Sequence, residues 1–249
     1  MMGVMRRLFP DSVPEVDLVE SYAVPDAPVP GRPFVRCNMI STFDGGISVD
    51  GRSGLLGGPA DHRVFAVLRS WADVVLVGAG TVRAENYGPV RLDEERQRER
   101  RFRGQDPIPS IAVVTRSGNL DWSSALFSEA DVRPLVITTS DGAERAQQRG
   151  GAVADFVVAG TERVEPSLAL EHLSRLGHRS VLLEGGPGLN ADVVKAGRMD
   201  ELCLTLSPRL IAGMGSRLFA GPELMPPQDV RVDQLLEEDG FLFCRLRLT

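Results

Sequence analysis

Short apolar runs alternate with amphipathic helical patterns along most of this chain, and this alternation limits the possible fold more than any other feature. The apolar runs predict eight strands, at residues 34–40, 74–77, 111–115, 135–139, 152–158, 180–183, 201–207 and 241–248. Helical patterns lie between several of them, at residues 61–71, 142–149, 167–177 and 189–196. Strands that alternate with helices predict an α/β fold with a central, mostly parallel β-sheet and helices on both faces. A long loop rich in glycine and proline joins the last two strands without a clear helix, which predicts an antiparallel C-terminal edge.

The chain divides into a short leading segment and one long body. Residues 1–32 are rich in proline and acidic side chains and show little periodicity, so they predict an N-terminal arm. Residues 33–249 contain no obvious linker and predict a single domain. Within this body, residues 91–104 form a dense run of charges, which favours a solvated loop or helix with mixed ion pairs. The alternative is a lid whose arginines meet an anionic substrate.

Charge and cysteine content exclude several classes of function. The net charge of −6 argues against a general nucleic-acid binder. No apolar run approaches the roughly 20 residues that span a bilayer, and the first residues lack the core of a signal peptide. The three cysteines lie in apolar runs without zinc-ligand spacing, so we predict buried free thiols and no metal. A cytoplasmic protein with no membrane partner is expected.

Two glycine-containing turns follow predicted strands. The first reads Glu184-Gly185-Gly186-Pro187-Gly188-Leu189-Asn190 and opens a helix at its proline. Glycines at such a turn let backbone N–H groups approach a phosphate, and the preceding carboxylate faces the ligand crevice of an open α/β sheet. This segment predicts a dinucleotide cradle, although a tight turn that merely requires glycine remains the alternative.

The second turn reads Gly78-Ala79-Gly80-Thr81 and predicts a helix capped by Thr81. Two glycine turns at strand ends favour an extended, two-part ligand such as a dinucleotide. Arg116 follows another strand and suits the ribose 2′-phosphate of NADP, or else belongs to an ordinary turn. Asp44 follows the first strand, where it forms a turn or donates a proton.

These motifs, taken in order, resemble the reductase domain of bacterial riboflavin biosynthesis proteins, the RibD C-terminal family. The resemblance covers about residues 33–248 and is carried by five segments: Thr42-Phe43-Asp44-Gly45, Arg69, Val77-Gly78-Ala79-Gly80-Thr81-Val82-Arg83-Ala84-Glu85, Leu183-Glu184-Gly185-Gly186-Pro187 and Asp200-Glu201-Leu202. It implies a dihydrofolate-reductase-like fold, a homodimer, and NADPH-dependent reduction of 5-amino-6-(5-phosphoribosylamino)uracil to its ribityl form. The zinc deaminase signature of bifunctional relatives is missing, so a stand-alone reductase is expected.

The resemblance also implies site residues. Substrate binding is assigned to Ser53, Arg69, Arg91 and Glu184, with the arginines suiting the phosphate. Cofactor binding is assigned to Ile40, Gly78, Ala79, Thr81, Glu85, Arg116, Gly185, Gly186, Pro187, Gly188, Leu189 and Asn190. The substrate loop departs from the family's usual S-L-D-G-R, because this chain has Gly46 where the family has arginine.

The implied mechanism is direct hydride transfer from the nicotinamide to C1′ of an opened, imine-like ribose. Asp44 is our first candidate for supplying the proton, Glu184 is the second, and water is a third source. Two other functions remain open: a pterin reductase on the same fold, and a non-catalytic NADPH-binding module. Activity on both substrates distinguishes them.

Overall fold

The structure is a computed structural model, and it describes residues 3–25 and 31–249. Within these residues the strands are β1 Arg6–Phe9, β2 Phe34–Thr42, β3 Val74–Gly78, β4 Ser110–Val114, β5 Leu135–Thr138, β6 Asp155–Val158, β7 Ser180–Leu183, β8 Glu201–Ser207, β9 Val230–Glu238 and β10 Phe241–Leu248. The helices are α1 Leu18–Ser21, α2 Pro59–Trp71, α3 Ala79–Ala84, α4 Glu94–Phe102, α5 Ala125–Ser128, α6 Ser140–Gly150, α7 Pro166–Arg175 and α8 Pro187–Lys195.

All the strands belong to one sheet, in the order β1-β9-β10-β8-β2-β7-β3-β4-β5-β6. The seven strands from β8 to β6 run parallel to their neighbours, whereas β10, β9 and β1 continue the sheet in antiparallel pairs. The predicted α/β fold, with a mostly parallel sheet and an antiparallel C-terminal edge, is confirmed.

Helices cover both faces of the parallel part of the sheet, as predicted. Val74 and Leu76 of β3 pack in the cluster that contains α7 and α8, while Val75 and Val77 pack in the opposite cluster with α3 and α5. Helix α2 packs on the same sheet through Leu182 and the antiparallel strands. Successive strand side chains point to opposite faces, so strands covered on both sides appear in the sequence as continuous apolar runs.

Strand β9 was not predicted, because charged residues interrupt its apolar pattern. Its segment Val230–Glu238 forms a hairpin with β10 and includes Arg231, Asp233 and Glu237. Strand β1 pairs with β9, so part of the predicted N-terminal arm extends the sheet. The Nη1 atom of Arg36 on β2 also donates to the carbonyl of Tyr22, 2.6 Å away. The division into arm and domain stays a prediction, and residues 1–2 and 26–30 of that arm lie outside the described residues.

The charged run after Arg91 contains a helix, α4, that Asp93 caps through a 2.8 Å hydrogen bond from the backbone N–H of Arg96. Its solvated character was predicted wrongly at Arg100, which is fully buried. The Arg100 guanidinium donates to the carbonyls of Ser70, at 3.0 Å, and Ala72 at the end of α2. These are carbonyls that a helix end leaves without a partner in the helix, so α4 stabilises the C-terminal end of α2.

None of the helices within residues 3–25 and 31–249 has the length and apolar character needed to cross a membrane. In the same residues, no group of three or more His, Cys, Asp and Glu side chains is arranged to hold a metal ion.

Candidate active site

A cavity of about 1480 Å³ opens at the carboxyl ends of the parallel strands β2, β3, β4 and β7. Ile40, Gly78, Thr115 and Glu184 come from these four strand ends and all line it. Ligands of open α/β sheets bind in this position, because the loops that leave the strands frame a crevice there.

The two predicted glycine turns meet at the centre of the cavity wall. Strand β3 pairs with β7 at Leu76 and Leu183, so Gly78 comes to lie beside Gly185 two residues further on. The backbone N–H of Gly78 donates to the carbonyl of Gly185, at 2.7 Å. Gly185 has a φ of +89°, a conformation that side chains disfavour. A Cβ on Gly186 would lie 2.7 Å from Oγ1 of Thr81, so the two turns approach each other too closely for any side chain there.

Helix α8 starts at this wall with Pro187 in its first turn, as the sequence predicts. Gly188 and Leu189 follow and line the cavity. The first N–H groups of a helix have no partner within it and carry partial positive charge. The wall therefore offers bare backbone and a helix N-terminus to a ligand, which suits an anionic group.

Arg69 and Glu184 form a buried ion pair in the lining of the same cavity. The Nε and Nη2 atoms of Arg69 each lie 2.8 Å from a carboxylate oxygen of Glu184. The side chains are 16% and 4% exposed, so the pair is largely shielded from water. Arg69 also stacks on Phe65, 4.1 Å from the ring centre, and donates to the Tyr87 hydroxyl at 2.8 Å. This two-pronged pair connects the last turn of α2 to the end of β7.

Ser53 and Glu85 are also brought together at the cavity. The backbone N–H of Ser53 donates to Oε1 of Glu85, at 2.8 Å, and both residues line the cavity. A residue assigned to the substrate thus contacts one assigned to the cofactor.

Most residues assigned to the cofactor line the same cavity: Ile40, Gly78, Ala79, Thr81, Glu85, Arg116, Gly185, Gly186, Pro187, Gly188 and Leu189. The prediction that Thr81 caps its helix is wrong. Helix α3 already begins at Ala79 with Gly78 as its N-cap, so Thr81 lies inside the first turn.

Three predicted site residues do not line the cavity. Asn190 is fully buried, and its Nδ2 donates to the carbonyl of Leu218 at 3.1 Å, because the first turn of α8 directs it inward. Arg91 is exposed and pairs with Glu129 at 3.1 Å. Asp44 is exposed as well, so the geometry does not bring any of the three to a ligand in the cavity.

Asp44 instead joins two loops. Its Oδ2 accepts hydrogen bonds from the backbone N–H groups of Ile211 and Ala212, at 3.0 and 2.7 Å, and its Oδ1 accepts one from the Thr42 hydroxyl. The Thr42 hydroxyl and then the backbone N–H groups hold the pKa of Asp44 below its ordinary value. An acid that is held ionised outside the cavity is poorly placed to donate a proton to a ligand within it.

Several cavity residues were missed in the sequence. Phe65 and Tyr87 contact Arg69, Arg163 and Lys195 add positive charge to the lining, and Asp61 adds a carboxyl. One signal for Asp61 was present, because residues 61, 65 and 69 recur at the spacing of one helix face.

One mixed sheet with a glycine-lined cavity at its carboxyl edge defines an α/β protein that binds a small ligand at strand ends. A family model described as the RibD C-terminal domain matches residues 33–237, and the chain belongs to that family.

Two archaeal relatives share about a third of their aligned residues with this chain. Both are named 2,5-diamino-6-ribosylamino-4(3H)-pyrimidinone 5′-phosphate reductase. The one from Archaeoglobus fulgidus is 31% identical over 186 residues, which covers 74% of this chain and 84% of the relative. The one from Methanothermobacter thermautotrophicus is 32% identical over 194 residues, which covers 77% and 85%.

Solved structures with the same fold include a pyrimidine reductase-like protein from Corynebacterium diphtheriae. It aligns with a TM-score of 0.81 at 28% identity, over 93% of this chain and 98% of that one. A riboflavin biosynthesis reductase from Saccharomyces cerevisiae aligns with a TM-score of 0.66 over 93% of this chain and 95% of that one. At 19% identity, this similarity is evidence for a shared fold only.

Proposed function

We propose that this protein is an oxidoreductase of riboflavin biosynthesis that reduces a 6-ribosylaminopyrimidine 5′-phosphate to its ribitylamino product with NADPH. Membership of the RibD C-terminal family and the names of the relatives support the reaction. The single observation that carries the proposal is that the bidentate Arg69–Glu184 pair shares one cavity with the wall formed by Gly78, Gly185 and Gly186, the glycine wall.

The pyrimidine ring is the part of the substrate that remains to be specified. The family resemblance implies 5-amino-6-(5-phosphoribosylamino)uracil, whereas the relatives are named for the 2,5-diamino compound. The two molecules differ at C2 of the ring, which carries an oxygen in the first and an amino group in the second. Both contain the same ribosylamino group and the same phosphate, so the reaction at C1′ is the same.

The residues present fit a nicotinamide dinucleotide. The wall formed by Gly78, Gly185 and Gly186 leaves backbone atoms facing the cavity, and a Cβ on Gly80 would meet no atom within 4 Å. We assign the diphosphate to this wall and to the start of α8. When bound, the reduced nicotinamide would supply the hydride.

Arg116 is our candidate for selecting NADPH over NADH. It lies directly after β4, it is exposed, and it lines the cavity. Its carbonyl accepts a hydrogen bond from the Thr139 hydroxyl at 3.0 Å, which fixes the backbone while the guanidinium remains available to a 2′-phosphate.

The chain's own side chains would bind and orient the substrate. Arg69 is stacked on Phe65 and held on both sides by Glu184 and Tyr87, so its guanidinium has little freedom. We propose that this preorganised group, with Ser53, positions the sugar phosphate. Positioning of this kind is the main contribution of a protein whose cofactor carries the chemistry.

The test is an initial-rate assay of NADPH oxidation with three substrates in parallel: the two ribosylaminopyrimidine phosphates and dihydrofolate. We expect turnover of at least one sugar phosphate and little turnover of dihydrofolate. Preference for dihydrofolate would instead indicate a pterin reductase, and tight NADPH binding without turnover of any of them would indicate a non-catalytic module. Arg69→Met should abolish turnover, while Arg91→Met, which changes an arginine outside the cavity, should leave it intact.

The remaining expectations of the resemblance are part of the same proposal. We propose a homodimer located in the cytoplasm, and sedimentation equilibrium of the purified chain tests the oligomeric state.

A further inference from the structure

Asp61 belongs to the cavity although no sequence motif assigns it a role. It lies in the first turn of α2, and Phe65 and Arg69 follow it at intervals of four residues on the same helix face. All three line the cavity. One face of α2 therefore presents a carboxyl, an aromatic ring and a guanidinium in sequence, and the guanidinium holds Glu184.

The surroundings of Asp61 favour its uncharged form. Burial is the largest influence and raises the pKa of its carboxyl, whereas a hydrogen bond with Thr205 of β8 and the charge of His62 act in the opposite direction. On the loop before α2, a Cβ on Gly57 would lie 2.8 Å from Oδ2 of Asp61, so the chain passes close to the carboxyl there.

The three carboxyls that the resemblance assigned to the site, those of Glu184, Glu85 and Asp44, are already engaged. Both oxygens of Glu184 accept hydrogen bonds from Arg69, and Oε1 of Glu85 accepts one from Ser53. Asp44 lies outside the cavity and bonds the backbone of Ile211 and Ala212. Asp61 differs from these three, because it lies half-buried in the lining of the cavity, in surroundings that favour its uncharged form.

We propose that Asp61 is the proton donor that opens the ribose ring of the substrate. This inference rests on the proposed function. The carboxylic acid of Asp61 would give its proton to the ring oxygen O4′ as the C1′–O4′ bond breaks. The lone pair of the exocyclic nitrogen would form the C1′=N bond of an iminium ion.

The step balances with the overall reduction. The iminium ion accepts one hydride at C1′ from the reduced nicotinamide, and the electron pair of the C=N bond returns to nitrogen. One proton and one hydride are consumed, and Asp61 is left as a carboxylate that regains a proton from water. The Thr205 hydroxyl would stabilise that carboxylate by donating to it.

The sign of the pH dependence follows from the acid role. A general acid acts only while it is protonated, so turnover should fall as pH rises through the pKa of Asp61. Because burial raises that pKa, the acid form persists to higher pH than for an exposed aspartate. Thr205→Val should raise the pKa further and move this limb of the profile to higher pH.

The experiment measures kcat against pH for the wild-type chain, Asp61→Asn and Thr205→Val with the ribosylaminopyrimidine phosphates. Asp61→Asn should lower kcat by about 100-fold or more and remove the alkaline limb, since general acid catalysis contributes about that factor. The dissociation constant of NADPH, measured by fluorescence, should stay unchanged. Asp141→Asn is the matched control, because Asp141 is also a first-turn acid but lies exposed on α6.

The outcomes separate the two claims. A wild-type chain that reduces neither sugar phosphate contradicts the proposed function, and this inference falls with it. A wild-type chain that is active, with Asp61→Asn keeping both its kcat and its alkaline limb, overturns this inference alone. If Asp61→Asn does not fold, as judged by circular dichroism, Thr205→Val decides: a shifted limb supports the acid role, and an unmoved limb contradicts it.

Discussion

Replacing Glu184 by glutamine removes the charge of the buried Arg69–Glu184 pair while keeping the size of the side chain. In the wild-type chain, both carboxylate oxygens of Glu184 accept hydrogen bonds from Arg69, at 2.8 Å each. The glutamine amide keeps one such oxygen and presents an NH₂ group in place of the other. Breaking a buried pair by removing one partner costs about 3–5 kcal/mol, because a charge is left uncompensated. Arg69 keeps 16% of its side chain exposed to the cavity, where water can reach it, so we expect the lower end, about 3 kcal/mol.

The loss should be visible in two ways. Urea unfolding followed by circular dichroism should give a free energy of unfolding about 3 kcal/mol lower than that of the wild-type chain. The slope of this free energy against urea concentration should stay the same. For a chain of this size the melting temperature should fall by about 6–12 °C. Turnover should fall as well, whereas the affinity for NADPH should remain, because the glycine wall does not depend on the pair.

Two controls test whether the loss comes from the pair itself. Glu129→Gln makes the same change in the exposed pair with Arg91, where little effect on stability is expected. Combining Glu184→Gln with Arg69→Met should cost less than the sum of the single changes, with a coupling energy of about 2 kcal/mol. A loss below about 1 kcal/mol for Glu184→Gln, with no coupling, would refute the reasoning.

Three further predictions concern the glycine wall, the cofactor and a loop. Gly186→Ala should weaken both NADPH binding and the stability of the fold, since its Cβ would lie 2.7 Å from Oγ1 of Thr81. Adding Thr81→Ala should restore part of the stability. A melting temperature that is not restored, measured by calorimetry, would contradict this contact. Arg116→Ala should weaken the binding of NADPH far more than that of NADH in fluorescence titrations, while Arg149→Ala on α6 should leave both affinities unchanged. Equal effects of Arg116→Ala on the two cofactors would exclude Arg116 from binding the 2′-phosphate. Asp44→Asn should lower the melting temperature at neutral pH and have no effect in acid. The depressed pKa of Asp44 stabilises the fold above the unfolded-state pKa, and this contribution is lost as pH falls through the folded-state pKa. A difference in melting temperature that persists in acid would show that the charge of Asp44 is not the cause.

The parallel part of the sheet could be predicted because its strands are covered on both faces. Such strands carry apolar residues at consecutive positions, as in Val74–Gly78, and appear as continuous runs. Strand β9 escaped prediction since it lies near the antiparallel edge, where the charged residues Arg231, Asp233 and Glu237 interrupt its apolar pattern. An exposed strand face has the composition of a loop.

The glycine turns could be predicted for a related reason. Gly185 adopts a positive φ and Gly186 contacts a neighbouring turn, so the backbone itself requires glycine at these positions. That requirement is local and leaves a mark in the sequence. The order of these motifs along the chain then indicated the resemblance to the RibD C-terminal family.

Contacts between distant segments left no comparable mark. Arg69 and Glu184 are 115 residues apart, and no spacing indicates that they pair. Arg100 was assigned to solvent within a charged run, although the carbonyls at the end of α2 bury it. Asp44 follows a strand like an acid aimed at a crevice, yet the backbone N–H groups of Ile211 and Ala212 engage it outside the cavity.

The reaction that we propose for this chain is hydride transfer from a nicotinamide to C1′ of a ribosylaminopyrimidine phosphate. The most direct measurement uses NADPH that carries deuterium at the transferable position of its nicotinamide, in separate samples for the two faces of the ring. We predict that one of the two samples yields a ribitylamino product with a single deuterium at C1′, detected by mass spectrometry and NMR. A ribitylamino product without deuterium from either sample, or deuterium found only in a reduced pterin, would contradict the account.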